Sequence, residues 1–405
     1  MLQVAAAMAV FTTVVLLLAI AVLLVRQRLV PERQVTISLN QQRELQVASG
    51  DRLLWTLADH GVYLPAACGG RGSCGQCRLR VISGGGPLLP TERNHISGRD
   101  AALGERLACM VTVREDLQVS VPADILEARR LPCTLRSTRF LAPYLKELTL
   151  ALPAGDDLNY EAGDYVLLEA PTGEIRFADF DVPEPYLQDW ARLRNLRVNI
   201  EAPTLRAYSL ASQPAEMKTV TLVVRIATPP HSAPPDTPPG RASSYLFNLR
   251  QGASITLSGP FGSFHTRDTE REMIFIGGGA GIAPMRSMIL DLLVGRQSRR
   301  RISFWYGARS LRELCYREEF EALARDHDNF SYQIALSEPG PDDRWQGPTG
   351  LIHQVVYETY LEGHPAPEEA EYYLCGPPLM SGAVVGMLED LGVDRDSIMF
   401  DDFGT

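Results

Sequence analysis

Four of the seven cysteines have the spacing of a ligand set. Cys68, Cys74 and Cys77 share one loop with Gly69, Gly70, Gly72 and Gly75, and Cys109 follows 32 residues after Cys77. Thiolates spaced C-x4-C-x2-C with a distant fourth hold a two-iron, two-sulfur (2Fe-2S) cluster. Here the first gap is five residues, one longer than that pattern. Glycine accepts positive φ, so such a loop wraps closely and turns amides inward, where they hydrogen-bond cluster sulfurs. Zinc, disulfides and core thiols are the competing readings. Zinc is commonly held by paired C-x2-C units, and only one is present.

A second stretch, Gly277-Gly278-Gly279-Ala280-Gly281-Ile282-Ala283-Pro284, lies between a predicted strand and helix. Backbone without side chains can approach a pyrophosphate, and a helix N-terminus favours its charge. The stretch is not G-x-G-x-x-G: Ile282 or Pro284 stands where the third glycine belongs. A tight turn without a ligand is the alternative. Gly307-Ala308-Arg309-Ser310 and Cys375-Gly376-Pro377-Pro378 also follow predicted strands. Ligands of parallel sheets bind beyond the carboxyl ends of the strands, so all three segments fall at one edge. Arg309 and Arg312 suit a 2′-phosphate there, which leaves NADH and NADPH open on the residues alone.

Positioning these groups takes more than one domain. At 405 residues the chain is too long for a single core, and two or three domains are expected. A net charge of −10 argues against nucleic acid as a partner. The scattered Cys133, Cys315 and Cys375 make no disulfide framework, which suits a reducing compartment. Val4 to Val25 carries no charged side chain, and as a helix it spans about 33 Å, enough to cross a bilayer. With no basic n-region and too long an apolar run, it reads as an uncleaved anchor rather than a signal peptide. Arg26, Arg28 and Arg33 then place the rest of the chain in the cytoplasm.

After residues 1–30, the chain reads as three modules. In 31–126, Val35 to Val47 alternates as a hairpin. Asp51 is placed to cap a helix over Arg52 to His60. The cysteine loop follows, then strands at Cys77 to Ile82, Met110 to Val113 and Leu117 to Val121, with His95 read as a surface residue. In 127–267, short strands at Pro132 to Phe140, Leu145 to Leu152, Tyr165 to Glu169 and Val220 to Ala227, closed by Ile255 to Gly262, suggest an antiparallel β-barrel. Phe177 to Glu201 interrupts it as an insertion, and Thr228 to Gly240 is a proline-rich surface loop. In 268–405, strands and helices alternate as a doubly wound α/β domain whose last strand is Tyr372 to Leu374.

The first module resembles a plant-type ferredoxin domain. The remainder resembles the ferredoxin–NADP reductase family. Arg206-x-Tyr208-Ser209 is similar to its flavin motif, which implies that Arg206 pairs with the FAD pyrophosphate, Tyr208 stacks on the flavin and Ser209 lies near N5. Gly240-x-x-Ser243-x-x-Leu246 is similar to its second flavin motif, with Ser243 and neighbouring groups at Gly240 and Ser244 on the pyrophosphate. Cys375, Gly376 and Pro377 resemble the segment beside the nicotinamide, where Cys375 positions for hydride transfer together with Ser209. Gly277, Gly278, Gly279, Gly281, Pro284, Gly307 and Arg309 fall to the dinucleotide, and Phe403 takes the place of an aromatic ring over the flavin.

The whole chain, from anchor to Phe400-Asp401-Asp402-Phe403, resembles the family of F subunits of sodium-translocating NADH:quinone reductases. That implies electron entry from NADH through FAD and a 2Fe-2S cluster to flavin in a membrane partner subunit, with ubiquinone reduction and sodium export by the complex, at a bacterial inner membrane. The alternatives are a reductase feeding a multicomponent oxygenase and a zinc-binding tethered interaction protein. The anchor speaks against the first, since such reductases are generally soluble.

Overall fold

The computed structural model describes residues 11–18, 33–66, 68–122, 125–126, 128–229 and 237–401. Most of the expected anchor lies outside them. Residues 11–18 are helical with exposed side chains, and among the described residues no helix is long and apolar enough to cross a membrane. The chain divides into two compact units, the first made of residues up to 64 and 70–126, the second of 65–69 and the residues from 127 on.

The first unit is one mixed sheet. The hairpin β1 (Gln34–Leu39) and β2 (Arg43–Ala48) alternates as its sequence predicts, burying Val35, Ile37, Leu39, Leu45 and Val47. Asn40 and Gln41 take positive φ in its turn, a conformation asparagine tolerates better than most residues. Then come α1 (Leu53–Asp59), β3 (Arg78–Ser83), β4 (Glu105–Leu107) and β5 (Leu117–Ser120). The order is β2-β1-β5-β3-β4, with β1 and β5 parallel. Arg52, not Asp51, stands at the cap of α1, and its side chain makes no capping bond. The strand expected at Met110 to Val113 is replaced by a turn in which Met110 N bonds Leu107 O, leaving only a bridge between Arg52 and Thr112. The turn wins because Cys109 has to leave β4 as soon as it ends.

In the second unit β6 (Arg129–Ala142), β7 (Leu145–Ala151) and β8 (Tyr165–Ala170) precede a two-stranded ribbon of β9 (Gly173–Arg176) and β10 (Arg197–Ile200). β11 (Thr204–Ser209), β12 (Thr219–Arg225), α2 (Arg241–Asn248) and β13 (Ser254–Phe261) follow. Six of these strands make an antiparallel sheet ordered β11-β8-β13-β6-β7-β12. The barrel expected is met in part, as a half-barrel sheet whose edge strands come together at an isolated bridge, Leu210 to Leu222. The insertion is no loose loop. Phe177, Phe180 and Trp190 are buried with Phe140 and Phe247 in one aromatic cluster, and Trp190 Nε1 donates to Pro143 O at 2.6 Å. Aromatic side chains bury large areas, so this segment completes the core that the open sheet leaves uncovered.

The chain continues as β14 (Met273–Gly278), α3 (Ile282–Leu290), β15 (Ile302–Ala308), α4 (Arg317–Asp326), β16 (Phe330–Leu336), α5 (Ile352–Val356), β17 (Glu371–Cys375), α6 (Pro378–Asp390) and β18 (Ile398–Asp401). The sheet is parallel, ordered β16-β15-β14-β17-β18. Its strands are nearly continuous apolar runs, as burial on both faces demands. β18 was not expected, because Ile398-Met399-Phe400-Asp401 is too short to announce a strand without a neighbour. Helix α3 starts at Ile282, within the glycine-rich stretch, with Pro284 in its first turn, where a missing N–H costs nothing.

Candidate functional site

The cysteine loop lies between α1 and β3. Cys68, Cys77 and Cys109 are buried and Cys74 is half-buried. Ala108 N donates to Cys77 O at 2.8 Å, and the Cys77 and Cys109 sulfurs stand 3.3 Å apart. Two thiolates on one tetrahedral metal at ~2.3 Å are roughly 3.7 Å apart, so this pair fits one iron of a two-iron cluster. Among the described residues no group of three or more His, Cys, Asp or Glu could hold a metal ion. A two-iron cluster asks for two thiolates at each iron instead. Gly70, Gly72 and Gly75 have φ of 81°, 80° and 69°. A Cβ on Gly75 would come within 2.8 Å of the His95 ring, and one on Gly70 within 2.8 Å of Trp55. His95, expected at the surface, is therefore half-buried against the loop, and Arg78 ties the two by donating to Gly75 O and His95 O.

Sequence reasoning missed what stands behind Cys109. Arg106 and Glu92 form a bidentate pair at 2.8–2.9 Å with side chains 7% and 0% exposed. Burial pushes the Glu92 carboxyl up, but Arg106 and the amides of Leu89 and Leu107 outweigh it and hold it below its usual value. The remaining Arg106 donors reach Gly85 O, Gly86 O and Pro87 O. A lone Glu and a lone Arg fourteen residues apart gave no signal of this.

In the second unit the Arg206-x-Tyr208-Ser209 segment is the end of edge strand β11, paired to β8 at Leu168, Val166 and Tyr165. Alternation sets Arg206 and Tyr208 on one face and Ser209 on the other. Arg206 Nη1 donates to Leu205 O at 2.7 Å. Burial pushes the Tyr208 phenol far above its usual range, so it stays neutral. Gly240 caps α2 in the extended conformation predicted for a helix start. A Cβ there would meet Ala227 Cβ at 2.7 Å, so glycine is needed for packing. Ser243 Oγ accepts from Ala227 N at 3.1 Å, and both serine hydroxyls, Ser243 and Ser244, donate to Gly240 O. These serines hold the helix N-terminus onto the end of β12.

The carboxyl edge of the parallel sheet gathers the rest. Gly277 is in register with Cys375, and Cys375 with Asp401, so three segments stand side by side. Gly281 lies so close to this row that a Cβ would collide with Cys375 O, while Gly279, at φ 57°, has open space beside it. Gly278 and Gly376 both abut Met380, and Gly307 abuts Ile352. Pro377 precedes α6, and Pro284 is buried in α3. Cys375 is fully buried. Ser209 Oγ donates to Asp401 Oδ2 at 3.3 Å, across 192 residues. That bond joins the end of β11 to the edge that carries Cys375. Asp401 is the residue the sequence did not single out; its only cue was its place beside Phe403, which lies outside the described residues. Arg309, exposed at the end of β15, forks its guanidinium onto Glu313.

The fold and this edge define a modular NAD(P)H-dependent flavin and iron–sulfur reductase. Family models agree: a 2Fe-2S iron-sulfur cluster binding domain matches residues 37–114, an oxidoreductase FAD-binding domain 192–266 and an oxidoreductase NAD-binding domain 275–386. Among solved structures, an Amycolatopsis cytochrome P450 reductase is 25% identical with a TM-score of 0.63, covering 91% of this chain and 98% of its own. The ferredoxin reductase of carbazole 1,9a-dioxygenase is 26% identical with a TM-score of 0.60, covering 92% and 99%. The F subunit of the Na(+)-translocating NADH-quinone reductase of Neisseria meningitidis is 49% identical over 97% of this chain and 98% of its own length. That of Klebsiella pneumoniae is 50% identical over the same shares. The chain belongs to this family of F subunits.

Proposed function

We propose that the chain is the NADH-oxidising electron-entry subunit of a sodium-translocating NADH:quinone reductase. When bound, the nicotinamide, FAD and 2Fe-2S cluster supply the chemistry, a two-electron hydride transfer followed by release of single electrons. The chain supplies binding and orientation. The glycine turn and the N-terminus of α3 receive the dinucleotide pyrophosphate. Gly281 lets that turn lie against Cys375, which sets the depth of the nicotinamide site. Arg206 and the N-terminus of α2, fixed by Ser243 and Ser244, receive the FAD pyrophosphate, and Tyr208 offers a neutral stacking face. Ser209, its hydroxyl oriented by Asp401, lies where the two sites meet. Cys68, Cys74, Cys77 and Cys109 ligate the cluster.

The single observation that carries this reading is the Ser209–Asp401 bond at the end of the Gly277–Cys375–Asp401 row. It brings the flavin motif and the dinucleotide edge to one place, which hydride transfer requires. The domain limits that go with this reading are 1–30, 31–126, 127–267 and 268–405. Residues 1–30 would anchor the chain once through a bacterial inner membrane with the redox domains in the cytoplasm, and other membrane subunits would accept the electrons. The likeness to oxygenase reductases supports a second reading, delivery to a hydroxylase, but it is the weaker match in sequence.

The test is anaerobic addition of NADH to the detergent-purified full chain, followed by absorbance and low-temperature EPR. Flavin bleaching with a reduced two-iron signal is expected. Bleaching by NADPH but not by NADH would overturn the reading.

A further inference from the structure

Two arginines stand just past the carboxyl end of β15. In a sheet of this kind that is where a dinucleotide's second ribose lies, and an arginine there accommodates a 2′-phosphate while a carboxylate favours the free 2′-hydroxyl. Arg309 and Arg312 are both already met by carboxylates. Glu313, one helical turn on, takes Nε and Nη2 of Arg309. Asp189 Oδ2 accepts from Arg312 Nη2 at 2.8 Å, and Pro185 O accepts from the same nitrogen at 2.7 Å. The Arg312 guanidinium also lies over the Tyr186 ring, 5.9 Å from its centroid.

Asp189, Pro185 and Tyr186 all belong to the insertion. Their place is held from below: Trp190 is fully buried and bonded to Pro143 O, and Tyr144 donates to Asp189 O at 3.0 Å. The carboxylate that meets Arg312 is thus carried on a buried anchor rather than on a loop free to swing away. The Arg309 and Arg312 side chains are 59% and 52% exposed. Ion pairs so exposed contribute little to stability, so the pairs are poorly explained as fold supports. Their local effect is large by comparison. Two unpaired guanidinium groups would draw a phosphate dianion, whereas two already paired with carboxylates draw it less.

We propose that Glu313 and Asp189 set dinucleotide selectivity, by occupying Arg309 and Arg312 and by opposing an incoming 2′-phosphate. The insertion is then a specificity element as well as a core segment. This rests on the carboxyl edge of the parallel sheet being the NADH site.

The experiment measures the second-order rate of flavin reduction by NADPH and by NADH, using full-length chain in detergent. In the Asp189→Asn, Glu313→Gln double variant the NADPH/NADH rate ratio is expected to rise about ten-fold at low salt, and that gain to shrink as salt screens it. A ratio within two-fold of wild type, in a variant that still uses NADH, overturns the proposal. Arg309→Gln with Arg312→Gln, added to that double variant, gives a separate arm. With no guanidinium left to draw the phosphate, the gain should vanish and the ratio return to within about three-fold of wild type; a ten-fold gain that persists would overturn the part assigned to the occupied arginines. Failure of NADH to reduce wild type would instead defeat the reading of the site itself, and the proposal with it.

Discussion

The cysteine loop and the hydride-transfer edge solve the same problem in opposite ways. Both hold reactive groups in fixed geometry. The loop does so locally: three of its four cysteines fall within ten residues, and positive-φ glycines set the path between them. The edge is assembled from β11, β14, β17 and β18, and its linking bond spans 192 residues. A local site stands or falls with its ligands. A distributed one depends on how closely backbones pack.

The sharpest break in that comparison is Cys77→Ser. Losing one ligand of a four-thiolate site is expected to abolish the two-iron EPR signal while NADH still bleaches the flavin. Loss of both signals would show that the two sites are not separable. Next is Glu92→Ala, which leaves Arg106 buried without its carboxylate and should cost about 3–5 kcal/mol in the first unit. Folding holds Glu92 below its unfolded value of about 4.5, so its stabilisation is full above that pH and is lost as pH falls through the folded value. Glu92→Gln should therefore flatten the acid limb of a denaturation curve; an unchanged limb would assign acid sensitivity elsewhere.

On the distributed side, Gly281→Ala drives a methyl group onto Cys375 O and should cost roughly 2–3 kcal/mol, with a matching fall in NADH use. Gly386→Ala in α6 is its control. Nothing lies within 4 Å of a Cβ there, so a gain of about 0.4–1 kcal/mol is expected from thermal melts of both variants. An effect of similar size is the coupling between Ser209→Ala and Asp401→Asn, about 1 kcal/mol in a double-mutant cycle on the rate of flavin reduction. Strict additivity would show that the bond does not orient the hydroxyl.

The amino-acid sequence alone determined the ligand spacing of the cysteines, the alternating hairpin, the strand–glycine–helix turn and the order of the modules. Each is written in neighbouring residues, because ligand spacing, two-residue alternation and glycine's access to positive φ are local properties of the chain. It also put Gly277 and Cys375 at the ends of strands, which is where the structure has them. It did not reveal β18, which is a strand only because β17 lies beside it, nor the buried Glu92–Arg106 pair. It left Phe177 to Glu201 without a role. Tertiary structure decided that Trp190 packs among Phe140, Phe180 and Phe247, that Asp189 meets Arg312 and that Asp401 meets Ser209. Those outcomes depend on which distant side chains share a desolvated space, where an unmet polar group is costly, and no window of sequence contains both partners.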